Sequence, residues 1–473
     1  MWRESGEHLL LVQPFMDSVI VRGEGCFLID ADGQRILDLA AGQFCSILGH
    51  NNTEFTARLQ EQASKIVHLA DQYVSPEVMK AAARLADIAP GNLNKVILLS
   101  TGSEANECAM RIAKAVTSRT GMLGFTRGYY GISLATHNLS SISDHPGKHD
   151  FQPSPANQFK LLTPSCNHCP LRLTHPACNT ACLDVSLEYV SSQLDNIAAV
   201  IVEPIVSAGG MIFPPTDYLQ KLRDVTRNLG ILLIVDEAQT GFGRCGQWFD
   251  VQNHAIEPDI LVLSKTAGNG YPAAAVIVTD AVAKKLESRR FMHLSSHQND
   301  PLAAAVVLAV IDTVERQGLI QQSRAMGEYF MEGLGLLKEK HSLITDVRGR
   351  GLMIGIELDP SGPNRDALAL KAAMLCERKG VHLTFSYFEP VLRIIPPLII
   401  SEAEIDMALS VLNDVLTTLE TGEVDVLPLI PQNIVSGDFV RDMVKSSPGA
   451  MLRKMWTTSP RQWVDKLKSM RAH

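Results

Sequence analysis

Short apolar runs, each closed by a polar residue or a glycine turn, alternate through the middle of the chain with stretches of helical period. Ile231 to Val235 ends at Asp236, Ile260 to Leu263 leads to Lys265, Val96 to Leu99 runs into Ser-Thr-Gly-Ser, and IAAVIV ends at Glu203. Runs that are apolar at every position read as strands covered on both faces. Their alternation with helical patterns between 95 and 320 predicts an α/β architecture with a mainly parallel central sheet. Before it, VIVRGEGCFLIDADGQRILDLAAG alternates apolar and polar residues around an Asp-Gly turn, the pattern of a small antiparallel hairpin. After it, DVRGRGLMIGIELDP opens a smaller α/β domain that also contains VLRIIPPLIISEAEIDMAL. The organisation expected is an N-terminal segment and hairpin over 1–53, a large domain over 54–320, a small domain over 321–420 and an extension over 421–473.

Composition narrows the class without naming it. The 473 residues are 46% hydrophobic and 20% charged, enough to bury a large core and to divide into more than one domain. A net charge of -8 gives no reason to expect nucleic acid or an anionic membrane as partner. The apolar stretch near the N-terminus is broken by Gln13, Pro14 and Asp17 and reads poorly as a targeting or spanning segment, so a cytoplasmic address is expected. Nine cysteines argue against a secreted disulfide scaffold. Cys166, Cys169, Cys178 and Cys182 crowd together with His168 and His175 near them. The first pair has C-x2-C spacing, but Cys178 and Cys182 are set differently, so a surface insertion with thiols is favoured over a structural metal.

The chemistry enters with Asp236 and Lys265, about thirty residues apart, each at the carboxyl end of a strand, where open α/β sheets build their sites. Singly, they read as a helix cap and a solvated lysine. Together they suit pyridoxal phosphate (PLP): the amine holds the cofactor aldehyde as a Schiff base, and the carboxylate keeps the pyridine nitrogen protonated. Thr101, Gly102 and Ser103 would present hydroxyls and backbone amides at a helix N-terminus, a seat for phosphate. Tyr129 and Tyr130 lie in a glycine-flanked turn, and Tyr130 reads as an ordinary packed aromatic. Arg393 sits inside an apolar strand before Pro396 and Pro397, so it either holds a substrate carboxylate in bidentate fashion or belongs to a structural ion pair.

DEAQTGFGR, LSKTAGNG, LLSTGSEANE and EPIVSAGG, taken together, resemble the class III PLP-dependent aminotransferases of fold type I over about residues 8 to 420. The resemblance implies that Lys265 carries the cofactor, Asp236 binds its pyridine nitrogen and Gln239 lies near its phenolic oxygen. It places Thr101, Gly102, Ser103, Tyr129, Glu203 and Ser296 with the cofactor, Tyr129 stacking on the ring and Ser296 crossing to a neighbouring subunit's phosphate. Ser207 and Arg393 are placed with the substrate, Arg393 on its α-carboxylate. A homodimer or dimer of dimers is therefore expected.

Within the family, AGQFCSILGH and LRIIPPLIISEAEID look most like 2,2-dialkylglycine decarboxylase, where the residue matching Gln43 contacts the carboxylate that is expelled. That likeness implies decarboxylating transamination of 2,2-disubstituted amino acids, with an α-keto acid such as pyruvate as acceptor. The alternatives are a plain class III aminotransferase, in which Gln43 holds a loop, and a non-catalytic binding protein. It also implies a K+ or Na+ site at Leu69, Asp71, Ser296, Gln298 and Asp300. Asp71 stands where the resembling enzyme has a serine, and Tyr129 where it has a tryptophan.

Overall fold

A computed structural model describes residues 8, 16, 18–141, 157–359, 361, 367–386, 388–422 and 424. The extension beyond 424 and most of the first seventeen residues lie outside the described residues. The large sheet has seven strands: β4 (Leu93–Leu99), β5 (Gly121–Phe125), β6 (Gln158–Leu161), β7 (Ile197–Val202), β8 (Leu232–Asp236), β9 (Ile260–Leu263) and β10 (Ala274–Thr279). Their spatial order is β4-β10-β9-β8-β7-β5-β6. β6, β5, β7, β8 and β9 run parallel, while β10 is antiparallel to both β9 and β4. The expected parallel sheet is present, with one reversed strand inserted near an edge.

Every residue of β7 and of β9 is buried, which is why these strands show no alternation in sequence: helices cover both faces. The helix Thr216–Leu229 connects parallel β7 to β8 and is closed at its C-terminus by Gly230 in the left-handed region. On the other flank, the long apolar helix Pro301–Arg316 buries most of its surface, packing on the helices Thr53–Lys65 and Pro76–Ile88.

The N-terminal pattern folds as three strands rather than a two-stranded hairpin: β1 (Ile20–Glu24), β2 (Phe27–Asp30) and β3 (Arg35–Asp38) form an antiparallel meander. The Asp-Gly turn joins β2 to β3 as expected. The short strand β13 (Val381–His382) adds to β3 in parallel, so the N-terminal strands are tied to a late part of the chain. A second four-stranded sheet, β11 (Ile344–Arg350), β12 (Met353–Leu358), β15 (Val391–Ile394) and β14 (Thr384–Phe385), is antiparallel throughout. Its β15 carries Arg393. The helix Glu402–Thr421 follows, opened by a capping box in which Ser401 and Glu404 satisfy each other's backbone amides. No described helix is long and apolar enough to cross a membrane.

Candidate active site

The carboxyl ends of β4, β7, β8 and β9 bring together the polar residues marked out in the sequence. Asp236, last residue of β8, is buried; its Oδ2 accepts from Asn106 Nδ2 at 2.7 Å and its Oδ1 from the Ala238 amide at 2.9 Å. Burial drives its carboxyl above the ordinary aspartate range, against the pull of Asn106 and Lys265. Lys265 opens a short turn after β9 with φ +42°, a conformation that costs a non-glycine residue energy and is stored where function requires it. Its Nζ stands 5.9 Å from the centroid of the Tyr129 ring. Glu203, just past β7, accepts from the Tyr129 amide at 2.8 Å and so fixes the backbone that carries that ring.

The turn after β4 leads into a capped helix. Thr101 is the N-cap of helix Gly102–Thr117, its hydroxyl accepting from the Glu104 amide at 3.3 Å. A Cβ on Gly102 would come within 2.7 Å of Ser264 Oγ, and one on Gly131 within 2.8 Å of Ser103 Cα, so the backbones close in where a side chain would block them. Ser103 Oγ is also the acceptor for the Ile132 amide at 3.1 Å.

Arg393 is buried and donates to Ser207 Oγ at 2.7 Å and to Gln239 Oε1 at 3.4 Å. Its guanidinium lies 4.4 Å from the centroid of Phe44. Phe44 belongs to a tight turn in which Ala41, Gly42 and Phe44 all have positive φ, held by Asp38, which accepts from the Ala40 and Gly42 amides. Gln43, between Gly42 and Phe44, is exposed, and its carboxamide bonds none of the described residues. The same turn touches the Lys265–Gly268 turn, and Asn269 accepts from the Leu48 amide at 2.8 Å.

These residues fit PLP. A buried carboxylate with a raised pKa gains from a cation beside it, which a protonated pyridine nitrogen supplies. Asn106 Oδ1, on the side chain that holds Asp236, is buried without a partner among the described residues. The helix N-terminus at Thr101–Ser103 would offer backbone amides to a phosphate.

The comparisons with known proteins agree. Residues 12–416 match the family model for aminotransferase class III. This chain belongs to the class III aminotransferases. An uncharacterised aminotransferase of Schizosaccharomyces pombe is 35% identical over 88% of this chain and 94% of its own length. Acetylornithine aminotransferase of Archaeoglobus fulgidus is 32% identical, covering 86% of this chain and 97% of that one. Among solved structures, a PLP-bound amine transaminase from an uncultivated Pseudomonas species superimposes with a TM-score of 0.79, at 30% identity over 85% of this chain and 95% of that one. The fold is therefore that of a fold type I transaminase, and the enzyme is a PLP-dependent aminotransferase.

The sequence reading missed several residues that brace these side chains and turns. Asn106 lies in a helix, with no local signal that it reaches Asp236. Arg244, the last residue of DEAQTGFGR, is fully buried and donates to the Pro396 and Leu352 carbonyls, locking the turn after β8 to the segment after β15 and to the β11–β12 turn. Arg127 pairs with buried Glu389 beside the Ser207–Gly210 turn. Tyr130 is buried as expected, with its hydroxyl accepting from the Phe125 amide at 2.9 Å.

The four clustered cysteines are unpaired thiols, and among the described residues they do not form a group of three within metal-binding reach. The two nearby histidines are engaged elsewhere, His168 with Glu357 and His175 with Asp217. On the 295–300 segment, Ser296 and His297 are exposed, and Asn299 exchanges bonds with Leu98 of β4. Asp300 stands at the N-cap position of helix Pro301–Arg316, but its carboxylate is bonded by two histidines and not by the helix amides, while Leu69 and Asp71 lie in the loop that carries one of them, with Asp71 exposed.

Burial lifts the Glu203 carboxyl to about 8, so the folded apoenzyme holds a proton there that the unfolded chain has released. Stability of the apoenzyme is therefore expected to fall as pH rises from about 4.5 to 8, because the native state binds more protons across that window. Glu203→Gln should flatten that part of the pH–stability curve. An unchanged slope in chemical denaturation would show that Glu203 is ionised in the fold.

Proposed function

We propose that this aminotransferase removes carbon dioxide from 2,2-disubstituted amino acids and passes the amine to an α-keto acid such as pyruvate. The observation that carries this reading is the exposed, unengaged carboxamide of Gln43, presented by a strained turn that also seats Phe44 on Arg393 and abuts the Lys265 turn. Lys265, Asp236, Gln239, Thr101, Ser103, Tyr129 and Glu203 would hold PLP, which when bound supplies a sink for the electron pair of the broken bond. Only a bond perpendicular to the cofactor ring can feed that sink, so the choice of bond is a matter of which substrate group is held where.

Gln43 would hold a carboxylate over the ring, with its amide donating. Arg393, braced by Ser207 and Gln239, would hold the carboxylate of the α-keto acid and of its amino product. The Lys265 amine moves a proton to or from carbon in both halves of the cycle. Overall, a disubstituted amino acid, a keto acid and a proton give a ketone, carbon dioxide and a new amino acid. Ser296, exposed at the head of its segment, is proposed to complete the phosphate seat of a second copy in a homodimer.

The test offers the holoenzyme 2-aminoisobutyrate with pyruvate and measures carbon dioxide, acetone and alanine together. Since this substrate has no α-hydrogen, plain transamination cannot consume it. Carbon dioxide and alanine should appear in step. Gln43→Ala should slow decarboxylation by roughly 10–150-fold, the worth of a hydrogen bond to a charged group, and slow the L-alanine half-reaction far less. If amino acids with an α-hydrogen react and no carbon dioxide is released, the enzyme is a plain aminotransferase.

A further inference from the structure

Away from the Lys265 turn, two histidines from distant parts of the chain converge on one carboxylate. His68, in the loop after helix Thr53–Lys65, places Nδ1 2.6 Å from Asp300 Oδ1, and His297 places Nδ1 2.6 Å from Asp300 Oδ2. The two imidazole centroids are 5.0 Å apart, and one ligand atom from each of the three residues lies within 4.8 Å of the other two. Asp300 is largely buried, whereas the histidine side chains are 46% and 63% exposed, so both rings have room to turn. Gln298, on the same segment, has a buried Oε1 with no partner among the described residues.

We propose that His68, His297 and Asp300 bind a divalent transition-metal ion of the zinc, cobalt or nickel type. Two imidazole nitrogens and a carboxylate oxygen suit borderline cations, whereas hard alkali ions favour sites built wholly of oxygen. Ligands about 2.0–2.1 Å from a tetrahedral ion stand about 3.3 Å from one another, so the two 2.6 Å contacts to Asp300 need only open by less than about 1 Å, with modest rotation of two exposed rings. The ion takes the place of the two Nδ1 protons now shared with Asp300, and each neutral imidazole then carries its ring proton on Nε2. Three protein ligands leave a position for water.

The ion ties the 66–71 loop to the 295–300 segment, which is already bonded to the sheet edge by Asn299 and to helix Gly102–Thr117 through Ser295 and Glu104. Its role is to fix that segment and, with it, Ser296. This inference stands on residues separate from Gln43, and holds whether or not the enzyme decarboxylates.

The experiment titrates Co2+ into chelator-washed holoenzyme and reads the visible spectrum, with Zn2+ competition for affinity. About one ion per chain should bind, with d–d bands typical of nitrogen and oxygen ligands and no thiolate charge-transfer band. His68→Ala and His297→Ala should each weaken binding beyond the roughly 10–100-fold that loss of a merely supporting group costs. A Cys166→Ser/Cys169→Ser variant should keep it. Zn2+ should also raise the thermal midpoint of the parent chain and leave that of the His68→Ala/His297→Ala variant unmoved. No cobalt spectrum, thiolate bands, or binding that survives both histidine substitutions would overturn the proposal.

Discussion

Lys265→Ala is expected to cost this aminotransferase roughly 10,000-fold or more in turnover, the combined scale of a positioned proton carrier and a covalent anchor. The residue opens its turn in a left-handed conformation, with Nζ 5.9 Å from the centroid of the Tyr129 ring. The visible absorption of the lysine-linked cofactor should vanish, while noncovalent binding through the helix end at Thr101 and the Asp236 carboxylate persists. Alanine meets the same φ +42° backbone as lysine does, so circular dichroism and thermal unfolding should stay close to those of the parent. Retention of full activity would remove Lys265 from the centre of the chemistry.

Asp236→Asn should produce the second-largest loss, about a thousandfold in turnover, on the scale of deleting a buried electrostatic group aimed at developing charge. The carboxylate sits in a fully desolvated place with its pKa driven upward, an arrangement that costs stability in the absence of a cationic partner. Asparagine keeps the shape and can still accept from the Ala238 amide. The apoenzyme is therefore expected to be at least as stable as the parent in denaturant titrations, although the holoenzyme works poorly. A purely structural aspartate would show the reverse, with lost stability and little lost activity per folded molecule.

Much of this was legible along the chain because the buried parallel strands leave an unmistakable pattern. β9 was marked to the residue, and β8 and β7 were marked with Asp236 and Glu203 at their ends, since strands covered on both faces carry apolar residues at every position. The capped helix start at Thr101 was visible for a local reason too: a strand, a glycine turn and a hydroxyl before a helical run. The N-terminal meander was harder, because a turn at Gly25 separates β1 from β2 and the sequence there shows only one Asp-Gly signal.

The sequence by itself determined the two strand-end residues, the capped helix start and the arginine in β15, because each is announced by its immediate neighbours. Only the tertiary structure decided what stands against them. Asn106 reaches Asp236 across 130 positions, Ser207 meets Arg393 across 186, and His68 meets Asp300 across 232. The reversed strand β10 between β4 and β9 was likewise silent in sequence, since a buried strand reads the same in either direction. Periodicity records how a segment is covered, and local motifs record how it begins and ends. Which distant side chain fills the remaining space is set by sheet order and helix packing, and these have no signature within any one segment.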